Sequence, residues 1–202
     1  MKTQMDAKIV KKLRDETGAG MMVCKKALVE NNGDYDKAVE ALKLKGIATA
    51  DKKSSRTTNE GLIYSYIHTG SKLGILLEVN CETDFVARRS EFVELAKNIS
   101  MQIASNPEIE VISLEDISDS TKDEVKRFES NKEDLQNKPE EIKNKIVDGR
   151  VEKSLKKKVL LEQEYIRDPN ISVSEYVKKV VSLLGENIRI VRFTRYVLGE
   201  TK

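Results

Sequence analysis

The sequence predicts an α+β fold: an N-terminal three-helix module, then a core in which a three-stranded, mostly antiparallel sheet is backed by helices. Three observations carry that expectation. Apolar residues recur at helical spacing in three short stretches before residue 46, two β-branched runs at 62–68 and 73–80 flank a glycine-containing turn, and a further alternating run lies at 188–197. With 202 residues and 39% apolar side chains, the chain can build one or two domains but not three independent cores.

From Asp6 to Thr17, Ile9, Val10 and Leu13 recur at helical spacing, and Gly18 and Gly20 then stop the run. A second helix is expected from about Met21 to Asn31, with Met21, Met22, Ala27 and Leu28 available to pack. Adjacent helical positions point about 100° apart, so at least one of the two methionines should leave so small a core. The other reading of methionine is an adaptable contact surface for a partner. "NNGD" is a turn that places Asp34 as the next N-cap, and Ala38, Val39 and Leu42 form one face of a third helix closed by Gly46. The three helices, assigned to residues 1–50, resemble a ubiquitin-associated-type module. "IATADKKSSRTTNEG" is polar and lacks periodicity, which reads as a connecting segment, with a linker at 51–61 and the α+β core at 62–202.

In the core, "LIYSYIH" and "LGILLEVN" around "TGSK" predict a hairpin. Phe92, Ala96, Ile99 and Ile103 step along a helix that Ser90 caps and Asn106-Pro107 ends, expected to cover the hairpin. A charged helical segment occupies about 108–160, with an exposed helix near Thr121–Leu135 and a long helix opened by Pro139 that carries Ile142, Ile146, Val151 and Leu155. A bend near "RDPNIS" leads to a last helix with Val177, Val180, Val181 and Leu184, ended by Gly185. In "IRIVRFTRYV" the apolar parity switches once, which predicts a bulge near Ile190-Val191.

Composition narrows the function. The 36 Lys+Arg nearly cancel 34 Asp+Glu, and a net charge of +2 is no footprint for direct nucleic-acid contact or an anionic membrane. A protein partner fits better. The N-terminal stretch has no apolar run of signal-peptide length, and no segment is apolar enough to span a membrane. Cys24 and Cys81 form no metal-binding pair, and the lone His68 lies at the end of a strand-like run, so no catalytic dyad, metal or cofactor is expected. "GAGMMV" follows a helix and has Val23 at the third glycine position of a dinucleotide fingerprint, and no phosphate loop occurs. Lys156-Lys157-Lys158 reads as the solvated face of a helix, with no interleaved aromatics to stack on bases.

One residue does not settle into this pattern. In "NCETDFVARRS", Phe85 lies seven residues before the helical stripe begins at Phe92. By its residues alone it either packs at the helix start or projects from the turn.

Four segments in order, "LRDETGAGMMVCKKALVENNGDYDKAVEAL", "EVNCETDFVARRSEF", "KPEEIKNKIVDGRVEK" and "LGENIRIVRFTRYVLGE", resemble the bacterial and organellar elongation factor Ts family, over nearly the whole chain. The resemblance implies a guanine-nucleotide exchange factor for elongation factor Tu, with no chemical catalysis of its own. It implies that Thr83, Asp84, Phe85 and Val86 contact the GTPase and disturb the surroundings of its magnesium, and that Arg14, Met21, Met22 and Lys25 of the N-terminal module bind the same domain. Longer members have a duplicated core, an inserted helical hairpin and a C-terminal extension, whereas one core copy is expected here, with a homodimer as one means of replacing the missing half. The short length and "MQIASNP" look most like cyanobacterial and plastid members, implying a plastid stroma if organelle-encoded and otherwise a bacterial cytoplasm. Two other classes fit parts of the sequence: a ubiquitin-associated-like peptide-binding adaptor, which accounts for residues 6–46 only, and a ribosome- or RNA-binding accessory protein, which the charge balance disfavours.

Overall fold

The computed structural model describes residues 6–135 and 139–200. The first five residues of the expected N-terminal module, residues 136–138 of the charged segment and the last two positions lie outside the described residues.

Helix α1 (Ala7–Thr17) starts where the Asp6 carboxylate accepts from the Lys8 amide, and it ends at Gly18, whose φ of 69° suits a residue without a Cβ. Helix α2 (Met21–Glu30) follows, then α3 (Tyr35–Lys53), capped by the Asp34 side chain on the Lys37 amide. Their shared core is Val10, Leu13, Cys24, Ala27, Leu28, Ala38, Val39 and Leu42. Outside that core, Tyr35 donates a 2.6 Å hydrogen bond to Glu16, which raises the phenol to about 12 and ties α3 to α1.

Helix α3 corrects two expectations. It passes through Gly46 and consumes the first residues of the expected linker, ending at Lys53. A Cβ on Gly46 would lie 3.4 Å from the Ser182 hydroxyl, so this glycine lets α3 approach another element and does not terminate it. Ala50 is buried, and Asp51 pairs with Lys178 at 2.8 Å, so the added turns have packing and charge partners that local composition conceals.

The expected hairpin is β1 (Glu60–Ile67) and β2 (Leu73–Cys81), and with β5 (Ile188–Val197) it forms a three-stranded antiparallel sheet in the order β1-β2-β5. The fold is therefore α+β. Along β5 the burial phase changes across Val191 and Arg192, one residue beyond the expected position. A four-residue helix α4 (Asp84–Ala87) precedes α5 (Ser90–Ser105), which buries Phe92, Leu95, Ala96, Ile99 and Ile103.

Further on, α6 (Asp119–Ser130) and α7 (Glu140–Lys158) pack on each other. Pro139 is the N-cap of α7 instead of its first residue, and the buried positions of that helix are Val147 and Leu155, with Ile142 exposed. The bend expected at 167–172 is a small antiparallel ribbon, β3 (Glu164–Tyr165) and β4 (Asp168–Ser172), followed by α8 (Val173–Leu184). Its stabilising partner is remote: the buried Gln102 accepts from the Ile166 amide and donates to the Glu164 carbonyl.

Contacts divide the chain into two compact units. One holds the chain up to Ile63, Glu78–Ala96 and Glu175–Arg189; the other holds Tyr64–Leu77, Lys97–Ser174 and the chain from Ile190. In the second, Gln163 donates to the carbonyls of Lys156, Lys157 and Val159 at the end of α7, and the Arg195 guanidinium donates to those of Ile103 in the last turn of α5 and of Asn106 and Pro107 just past it. Long side chains thus supplement the local bonds at these helix ends.

Candidate partner-binding site

The first unit presents an apolar side chain on a short, well-anchored turn. Strand β2 ends at the buried Cys81, whose thiol donates to the Thr83 carbonyl at 3.1 Å. Burial pushes that thiol up to about 11, which leaves it protonated and unreactive at neutral pH. In the next turn Val86 is buried, while Phe85 is 80% exposed. Asp84 forms an i,i+4 ion pair with Arg88 at 2.8 Å. Of the two arrangements open to Phe85, the structure adopts the projecting one. The apolar anchor of the turn is its neighbour, Val86.

Thr83 occupies the N-cap position of α4 without capping it through its side chain. Both of its donors turn to Glu186: the amide reaches one carboxylate oxygen at 3.0 Å and the hydroxyl reaches the other at 2.7 Å. The preceding residue repeats the pattern in reverse, because the Glu82 carboxylate accepts from the Asn187 amide at 2.6 Å. The buried Asn187 side chain then donates to the carbonyls of Ser54 at 3.1 Å and Arg56 at 2.8 Å, just beyond α3, and Lys53 donates to the Gly185 carbonyl. Glu186 and Asn187 were not singled out as site residues by sequence reasoning. They sit in the quoted "LGENIRIVRF" at a helix-to-strand turn, 103 or more residues from their partners, where periodicity carries no signal.

In the N-terminal module, Arg14, Met21, Met22 and Lys25 are all exposed. Met22 is 75% and Met21 43% exposed, so the α2 contribution to the core comes from Cys24, Ala27 and Leu28 and not from the methionines that were available to pack. Of the expected contact residues, Thr83, Asp84, Phe85, Arg14, Met21, Met22 and Lys25 reach the surface of the first unit, whereas Val86 is buried and serves as the anchor of its turn.

His68 is exposed just past β1, with its Nδ1 2.9 Å from the Tyr66 hydroxyl. Among the described residues no cluster of His, Cys, Asp or Glu could hold a metal ion, and no helix is long and apolar enough to cross a membrane. A groove of about 490 Å³ beside the hairpin turn, in the second unit, is lined largely by apolar side chains including Ile67, Leu73, Ile75 and Leu198.

Exposed apolar side chains on an α+β scaffold, Phe85, Met21 and Met22 among them, suit a protein that works through contact with another protein. Residues 8–200 match the family described as Elongation factor TS. The chain is 82% identical over 200 residues to the chloroplastic elongation factor Ts of Phaeodactylum tricornutum, covering 99% of each chain. It is 58% identical to the chloroplastic form of Rhodomonas salina, over 99% of this chain and 91% of the relative, and 59% identical to elongation factor Ts of the cyanobacterium Synechococcus elongatus, over 98% and 89%. The chain belongs to the elongation factor Ts family.

Proposed function

We propose that this protein promotes guanine-nucleotide exchange on elongation factor Tu during translation elongation, using Thr83, Asp84 and Phe85, carried on the buried Val86, as a wedge and the N-terminal module as a docking surface. The exchange role follows from family membership at high identity. The observation that supports the wedge is the 80% exposure of Phe85 beside the buried Val86. A rigid aromatic held out from a packed turn is costly to leave in water and well suited to a pocket on a partner. Magnesium bridges nucleotide phosphates to protein ligands, so a side chain that displaces its surroundings on the GTPase weakens nucleotide retention without making or breaking a covalent bond.

Docking falls to Arg14, Met21, Met22 and Lys25, supported by their exposure on the module assigned to residues 1–50. Because α3 approaches Ser182 at Gly46, point substitutions test this role more cleanly than deletion of the module. The experiment is release of labelled GDP from elongation factor Tu. Acceleration by this protein is expected, and an unchanged rate would overturn the assignment.

The compartment we propose is the plastid stroma, supported by 82% identity to a chloroplastic relative; organelle fractionation with an antibody checks it. A homodimer is proposed through the hairpin end of the second unit, where Ile67, Leu76, Tyr196 and Leu198 are exposed, and sedimentation equilibrium checks it. Direct nucleic-acid binding is not proposed, in keeping with the net charge of +2.

A further inference from the structure

We infer that Glu186 is a positioning residue for nucleotide exchange: its carboxylate, seated on both donors of Thr83, fixes the turn from which Phe85 projects. This rests on the wedge reading of Phe85. Helix α4 is four residues long and cannot hold its own geometry by intrahelical bonds. Its single buried side chain, Val86, anchors one side of the turn. At its N-cap position Glu186 accepts from the Thr83 amide at 3.0 Å and from its hydroxyl at 2.7 Å. Two charge-assisted bonds to one residue restrict both the backbone entering the turn and the side chain at its N-cap position.

The reciprocal bond from the Asn187 amide to Glu82 at 2.6 Å makes the restraint two-sided. Asn187 also holds the carbonyls of Ser54 and Arg56, so the Glu186–Asn187 dipeptide is itself braced against the chain leaving α3. A wedge acts only in the conformers that aim it correctly. Releasing the turn lowers the competent fraction, and apparent performance falls in proportion. Glu186 touches neither nucleotide nor magnesium in this scheme; it acts through Phe85.

A double-mutant cycle on GDP release from elongation factor Tu tests the inference, with rates measured across factor concentrations. Glu186→Ala should reduce the maximal release rate by roughly tenfold, the low end for bonds to a charged group, while half-saturation, set largely by the N-terminal module, moves less. Thr83→Val and Glu186→Gln, which each disturb the hydroxyl bond, should give smaller losses that do not add to one another. In a Phe85→Ala background, Glu186→Ala should cost nothing further. An equal loss in both backgrounds would overturn the positioning role, as would a wild-type rate for folded Glu186→Ala. If Glu186→Ala fails to fold by circular dichroism, Glu186→Gln and Thr83→Val carry the same cycle. Failure of the underlying reading looks different: Phe85→Ala would then exchange at the wild-type rate, whatever Glu186 does.

Discussion

Two helix starts in the same compact unit expose apolar side chains, and they are built differently. Helix α4 presents Phe85 from a four-residue turn held by Val86 below and Glu186 at its N-terminus. Helix α2 presents Met21 and Met22 from a ten-residue helix whose N-cap, Gly20, makes no side-chain cap bond. Phenylalanine has two side-chain torsions and a flat rigid body, whereas methionine is an unbranched thioether that adapts to the surface it meets. The clamped site suits a part that must enter one place. The looser site suits a contact that must hold and reorient. On the proposed function, the first would govern rate and the second affinity.

The strongest way to break that assignment is Phe85→Ala. Truncating an aromatic anchor in an interface costs ~2 kcal/mol, about a thirtyfold slower GDP release in stopped flow, with an unchanged melting temperature because Phe85 is 80% exposed. By reciprocity, GDP should then weaken binding of the variant less than it weakens binding of the wild type, which titration with and without GDP would measure. Phe85→Met sharpens the point: it keeps apolar bulk but loses stiffness, so a roughly fivefold loss of maximal rate is expected, between alanine and wild type. If methionine matched phenylalanine, rigidity would not be what the clamp serves.

Met22→Ala should act on the other quantity. Weaker binding by about 1 kcal/mol, roughly fivefold, is expected with the saturated release rate kept, and Met21→Ala should do less because Met21 is only 43% exposed. A fall in the saturated rate would erase the distinction between the two helix starts. Asp84→Ala is expected to give a milder loss than Phe85→Ala, because an exposed i,i+4 pair with Arg88 contributes only about 0.5 kcal/mol to the turn itself. The smallest effect concerns Cys81: with its thiol raised from an ordinary 9.0 to about 11 and its side chain buried, iodoacetamide at pH 8 should leave it unmodified until the protein is denatured, as mass spectrometry would show.

Much of this was legible in the sequence, for local reasons. The three-helix module follows from helical spacing in 6–46, the stop at Gly18 and the cap at Asp34, and the hairpin from two β-rich runs around "TGSK". The likeness of four segments to elongation factor Ts pointed to the family that the comparisons then established. Only the tertiary structure decided where α3 ends, because Gly46 looks like a stop until Ser182 is seen beside it, and only it revealed the β3–β4 ribbon, whose short strands rely on Gln102 more than 60 positions away. The same holds for the site. Composition and spacing left Phe85 equally suited to a core or a surface, since an aromatic before a helix satisfies either. What decided it was burial of Val86 in its place and a carboxylate from 103 residues further along the chain, bonds between remote residues whose registration is set by packing and not by any local pattern.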